Sequence, residues 1–206
     1  MTKISDKGLL FAHSNDANPV QSTFRQHMHN EYEMLYFIAG DADYVVGSSV
    51  YHLRPNDLLF IRPATYHYLK LLSAAPYERF IVNFPEDIVP KNLSGLLGGY
   101  RELYNIPKTP DSPIDHIFYG LLQAAENFSQ KDARLALIQE INLVLLHLKY
   151  ASYQGGQPQK RHDVLDNILK FIDENLTTPL NAKVIADALD EVGGQAVLGR
   201  QDSLPT

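Results

Sequence analysis

The stretch His27-Met28-His29-Asn30-Glu31-Tyr32-Glu33, with Gly40 seven residues beyond it and His67 following Pro63, decides how this chain is read. It spells His-x-His-x3-Glu-x6-Gly. Two histidines at i and i+2 on a strand face the same side of a sheet. A glutamate and a third histidine brought alongside by sheet pairing would complete a set of three nitrogens and one oxygen. Such a set suits a divalent transition metal: zinc, nickel, manganese or iron. The candidate metal set is therefore His27, His29, Glu33 and His67. The same frame also makes a polar pocket without metal, so an enzyme and a sensor are both open.

Outward from this motif the first ~90 residues read as short strands. Residues 32–39 are β-rich and end at Gly40-Asp41. Residues 42–46 and 49–54 flank Gly47-Ser48, a two-residue turn with glycine first, which predicts a type II′ hairpin. Residues 57–62, 66–72 and 77–84 follow, punctuated by Pro55, Pro63, Pro76 and Pro85. Even spacing of this kind predicts a sandwich or barrel. Alternation puts Glu33, Leu35 and Phe37 on one face and Tyr32, Met34 and Tyr36 on the other. His67 and Leu69 likewise share a face. With Glu33 and His67 inward, Leu35, Phe37 and Leu69 line one cavity, and Tyr36 and Tyr68 lie outside it. The candidate ligand-binding set is Arg25, His27, Glu33, Leu35, Phe37, Arg62 and His67, with Tyr44 and His52 nearby; no residue is assigned a catalytic role.

After residue 90 the period changes. Residues 93–104 and 114–128 read as helical. The longest helix is expected over 132–153, where Leu135, Ile138, Ile141, Leu145 and Leu148 recur at steps of three and four, widened by Leu137, Val144 and Leu146. Its coiled-coil-like spacing points to a homodimer contact. Gln154-Gly155-Gly156-Gln157-Pro158-Gln159 has linker composition. Two further helices are expected over 162–175 and 182–189, the second capped by Asn181.

Composition excludes several classes. There is no cysteine, hence no disulfide, thiolate metal site or cysteine nucleophile. Gly98-Gly99 lacks the lysine of a phosphate loop, and no Gly-x-Ser-x-Gly elbow occurs. No apolar run approaches the roughly 18 residues of a membrane span, and residues 1–20 carry no leader pattern. A cytoplasmic protein without a membrane partner is expected. The net charge is −6, and residues 160–206 hold five basic against eight acidic side chains, a poor match for a phosphate backbone.

His27-x-His29-x2-Tyr32-Glu33, the Gly40 turn, Leu53-x-Pro55-x-Asp57-Leu58-Leu59-x-Ile61 and Pro63-x-Thr65-x-His67 resemble the N-terminal cupin domain of AraC-type transcriptional regulators. The run from Asp166 to Leu176, continued by Ala186-Asp187-Ala188-Leu189, resembles the opening of that family's DNA-binding domain. The resemblance implies an α+β fold: an N-terminal cupin jelly-roll β-barrel, a helical dimerisation segment and remnant helices. It places an effector-binding barrel at 1–90 and a helical segment at 91–153, with the dimerisation helix at 132–153. A linker follows at 154–162, the start of a truncated DNA-binding domain at 163–190, and a disordered tail at 191–206. It implies a small-molecule effector, often a sugar, and a homodimer.

The sequence departs from the family after Leu189. Residues 191–206 hold one basic residue and three glycines where a recognition helix belongs, so the chain by itself is not expected to bind DNA. Gln21 and Ala64 stand where the general cupin motif has glycine. The alternative reading is a metal-dependent cupin enzyme, an isomerase or dioxygenase on a small polar substrate. Residues 162–189, which such an enzyme would not need, favour the regulator.

Overall fold

Lys7 and Gly8, both at positive φ (44° and 80°), turn strand β1 (Thr2–Asp6) back into β2 (Leu9–Asp16). Two such residues in succession suit the right-handed twist of a hairpin. This opening hairpin had no counterpart among the expected strands. The structure, a computed structural model, describes residues 2–95, 97–109, 111–150 and the two-residue strand Lys160–Arg161. The chain divides into a unit Met1–Gln159 and a unit Lys160–Thr206. The first is described below. The expected helices at 162–175 and 182–189, the truncated domain at 163–190, the tail at 191–206 and most of the linker at 154–162 lie outside the described residues.

Six further strands follow in the expected order: β3 (Tyr32–Ala39), β4 (Ala42–Val46), β5 (Ser49–His52), β6 (Asp57–Ile61), β7 (His67–Leu71) and β8 (Tyr77–Phe84). Gly47, at φ 56°, opens the two-residue turn that pairs Val46 with Ser49. One antiparallel sheet runs β1-β2-β8-β3-β6-β9, with β9 at Leu103–Asn105. In the other, β4 lies between β5 and β7. This is the α+β, cupin-like jelly roll, two antiparallel sheets followed by helices.

The large sheet separates two cores. Leu35, Phe37, Tyr44, Leu59, Ile61, Leu69 and Tyr77 fill the space between the sheets. Met34, Tyr36, Leu58, Phe60, Phe80 and Val82 face the other way, onto the helices. Strand alternation alone produces this division. Tyr36 stacks on Phe118 (centroids 4.8 Å apart, planes 17°) and its hydroxyl donates to Asp115.

The helical segment differs from expectation in one part. Residues 93–104 do not form a helix. They form one turn, α1 (Lys91–Ser94), a 3₁₀ turn at Leu97–Gly99 and strand β9, which pairs with β6. Gly95, Gly98 and Gly99 weaken a helix there, and Leu103 and Tyr104 split between the two cores as strand neighbours do. Helix α2 (Pro113–Asn127) starts where Ser112 accepts from the Asp115 amide and proline occupies the first turn.

Helix α3 (Gln130–Tyr150) buries Ala133, Leu137, Ile141, Val144, Leu145 and Leu148. Leu135, which recurs in the sequence with Ile138, Ile141, Leu145 and Leu148, is 57% exposed, and Leu143, Leu146 and Tyr150 are exposed as well. The face centred on Leu137 and Ile141 wins because it continues through Val144 and Leu148 at helical spacing. Among the described residues no helix is long and apolar enough to cross a membrane.

Candidate metal and ligand site

The four residues of the opening motif come together at one end of the barrel. One ligand atom from each of His27, His29, Glu33 and His67 lies within 4.8 Å of all the others. Glu33 opens β3 facing inward, and His67 opens β7. His27 and His29 are not on a strand, contrary to the i, i+2 reading. They lie in an extended loop that runs beside residues 64–67. His27 and His67 exchange backbone hydrogen bonds at 3.1 and 2.9 Å, and the Ala64 amide donates to the His29 carbonyl at 2.8 Å. Ala64, at φ 56°, breaks the ladder between these contacts, so no regular strand forms.

Each histidine is oriented by the chain next to it. Nδ1 of His27 donates to the Arg25 carbonyl (2.9 Å), Nδ1 of His29 to the Glu31 carbonyl (3.0 Å) and Nδ1 of His67 to the Thr65 carbonyl (2.8 Å). A carbonyl only accepts, so in the neutral rings the protons sit on Nδ1 and Nε2 carries the lone pair, which at His29 accepts from the Asn83 side-chain amide at 3.2 Å. Nε2 of His67 is buried with no hydrogen-bond partner among the described residues. Nε2 of His29 stands 3.0 Å, and Nε2 of His67 3.6 Å, from Oε2 of Glu33. An imidazole nitrogen facing a carboxylate needs a proton or a cation between them.

Electrostatics agree with that need. Burial pushes the Glu33 carboxyl up, but His29 and His67 outweigh it and hold it at about 2. The hydrogen bond to Glu33 raises His29 above its ordinary value against the opposing effect of burial. Three imidazoles with their far nitrogens tied to carbonyls, plus one ionised carboxylate, fit a divalent transition metal. His27, His29, Glu33 and His67 would hold it. Such an ion would act as a Lewis acid or as an anchor for a ligand oxygen.

Beside the cluster opens a pocket of about 360 Å³. It is lined by Thr23, Phe24, Arg25 and His27 from the loop, Glu33 from β3, Tyr44 and Leu69 from the smaller sheet, and Tyr77, Arg79 and Ile81 from β8. Of the expected ligand set, Arg25, His27 and Glu33 line it, and His67 lies alongside in the cluster. Leu35 and Phe37 share the barrel core with Leu69 but are not part of the pocket lining.

Arg62 is elsewhere. Its guanidinium donates to the carbonyls of Gly98 (3.1 Å) and Tyr100 and faces Glu102, bracing the turn before β9. Alternation explains this, since its neighbour Ile61 points inward. His52 pairs with Asp43.

Thr23, Phe24, Tyr77, Arg79 and Ile81 were missed in the sequence. The readable signal was the inward face Tyr77, Arg79, Ile81 and Asn83 on β8, brought beside β3 by pairing Phe37 with Arg79 and Leu35 with Ile81.

The AraC-like ligand binding domain, as a sequence family, matches residues 15–143. The chain belongs to this family. Its described cluster and pocket both fall within the matched segment. Among solved structures, it is similar to the AraC-like transcriptional activator CuxR, with TM-score 0.49 and 13% identity over 89% of this chain and 66% of that one. It is also similar to the plu4264 protein from Photorhabdus luminescens (TM-score 0.34, 16% identity, 39% of this chain and 66% of that one). A third similarity is to a salicylate 1,2-dioxygenase from Pseudaminobacter salicylatoxidans (TM-score 0.33, 13% identity, 37% of this chain and 22% of that one). The chain spans less than two thirds of the length of each of these proteins. No curated protein matches it.

Proposed function

We propose that this family member is the effector-sensing part of a transcription regulator. Its pocket takes a small polar molecule, and it does so without turning the molecule over. The observation that carries this reading is the pocket itself, half-open and walled by Phe24, Tyr44, Leu69 and Tyr77, with Arg25, Glu33 and Arg79 as its charged groups. Apolar walls with a few convergent polar groups are what selective small-molecule binding requires. A sugar fits the aromatic walls. The metal-competent cluster serves as the floor of the pocket, fixing a ligand oxygen when an ion is present. Homodimerisation falls to α3, whose outer face carries Leu135, Leu143, Leu146 and Tyr150. Residues from 163 onward read as the start of a DNA-binding module that the sensor would address.

The test is thermal denaturation of the purified chain against a library of sugars and other small polar metabolites. A ligand that raises the midpoint, and no longer does so in Leu69→Trp, which fills the pocket, supports the sensor. Consumption of dioxygen or isomerisation of a bound ligand by the metal-loaded chain would overturn it in favour of a cupin enzyme.

A further inference from the structure

Arg79 carries a positive charge that the described protein does not answer. It projects from β8 into the pocket with its guanidinium carbon 4.7 Å from the centre of the Tyr77 ring and 5.3 Å from that of Phe24. The two rings meet edge to face at 5.4 Å. Cation–π contact of this kind holds a guanidinium in place while leaving its N–H fork available. Among the described residues no carboxylate lies within ion-pair distance of Arg79, and no protein acceptor takes its hydrogen bonds.

The one acid of the pocket does not fill this role. Glu33 is engaged by His29 and His67 and accepts from the Tyr44 hydroxyl at 3.4 Å. A second donor belongs to a residue lining the same pocket. The Tyr77 hydroxyl is wholly buried and has no hydrogen-bond partner among the described residues. Burial pushes its ionisation up, so it stays a donor. Arg25 and Arg79 against Glu33 leave the lining with one formal positive charge in excess, in a chain of net charge −6. A half-buried guanidinium and a buried hydroxyl, both unpartnered, with a local excess of one positive charge, match one carboxylate, since a fork of guanidinium N–H groups fits its two oxygens.

We propose that the ligand of this pocket is a small organic carboxylate, its carboxylate held by the Arg79 guanidinium and the Tyr77 hydroxyl, with Arg25 at the mouth. The inference rests on the reading of this pocket as an effector site and narrows it: a neutral sugar leaves Arg79 unanswered, whereas a sugar acid or an aromatic acid does not.

The experiment uses matched pairs that differ in the charge: D-glucuronate and D-glucose, D-galacturonate and D-galactose, benzoate and benzamide. Binding of each to the full chain is measured by saturation-transfer NMR and titration calorimetry at up to millimolar concentration. The result expected is that at least one acid binds about tenfold or more tightly than its neutral partner. Arg79→Met should then weaken that acid about tenfold or more, with Arg79→Lys intermediate and the thermal midpoints of both variants near that of the parent.

Neutral members binding as well as the acids, and displaced by Leu69→Trp, would overturn the carboxylate and leave the effector pocket standing. No binding by any member would overturn both. Acid binding untouched by Arg79→Met but abolished by 1,10-phenanthroline, an uncharged chelator, would put the carboxylate on a metal and overturn the role of Arg79.

Discussion

His27 and His67 are stapled together through their backbones, by hydrogen bonds of 3.1 and 2.9 Å, and their rings consequently stand 4.3 Å apart. The loop that carries two of the imidazoles is thereby fixed to the strand that carries the third. The ring positions are set before any ion arrives, which is the preorganisation a metal site needs.

That arrangement predicts metal binding. Titration of the chelator-treated chain with Zn²⁺ should give close to one ion per chain by calorimetry. His67→Ala removes a fully buried donor and should weaken binding by about tenfold or more. Binding at the parent affinity in His67→Ala would show that zinc sits elsewhere.

Gly40 is required by its neighbour as well as by its backbone. Its φ is 140°, and a Cβ at this position would come within 2.9 Å of the Tyr77 ring. Gly40→Ala should therefore cost about 1–3 kcal/mol of stability, the usual range for strain at a special backbone position. Urea denaturation measures it. The same substitution should disturb ligand binding, since the ring it pushes is part of the pocket wall.

Ala64 is the converse case. It holds a left-handed conformation (φ 56°) that glycine enters freely, and in it the amide donates to the His29 carbonyl. The left-handed penalty for a residue with a Cβ is about 1–2 kcal/mol, and the entropic cost of glycine is roughly 0.5–1 kcal/mol. Ala64→Gly should then be neutral or stabilising by up to about 1.5 kcal/mol in the same urea assay. A clear loss of stability would mean that the Ala64 methyl makes contacts worth more than the strain.

The outer face of α3 makes a prediction about assembly. Leu146→Glu places a charge among Leu135, Leu143 and Tyr150 without touching the buried face. If α3 is the dimer contact, sedimentation should show the parent as a dimer and the variant shifted to monomer, with its thermal midpoint at high dilution unchanged. A parent that sediments as a monomer at all concentrations would retire the contact.

Much of the barrel was legible because strand alternation and turn residues are local signals. Residues 32–39, 42–46 and 77–84 coincide with β3, β4 and β8, and period two put Glu33, Leu35 and Phe37 on one face, which is the face buried in the barrel with Leu69. The grouping of His27, His29, Glu33 and His67 was legible from residue type, three imidazoles and one carboxylate, although His27 and His29 come from a loop and meet His67 only through backbone pairing. What was not legible depended on pairing across long separations. Arg79 became a pocket residue only through the β3–β8 register, and Arg62 left the site because it braces a turn almost forty residues away. Residues 93–104 misled because an apolar run broken by three glycines satisfies two cores at once, which no single helix period describes. Helix α3 is apolar on both faces, so spacing could not say that Leu135 looks outward.

β3 has no idle side. Glu33 and Leu35 belong to the interior of the barrel, while Met34 and Tyr36, one step away on the same backbone, belong to the helices, where Tyr36 grips both the ring of Phe118 and the carboxylate of Asp115. A pleated strand is stiff along its length and close-packed interiors do not absorb displacement. The strand is thus a shared wall: a displacement of Glu33 or Leu35 by a ligand would reach Met34 and Tyr36, one peptide unit away, and through them the helices.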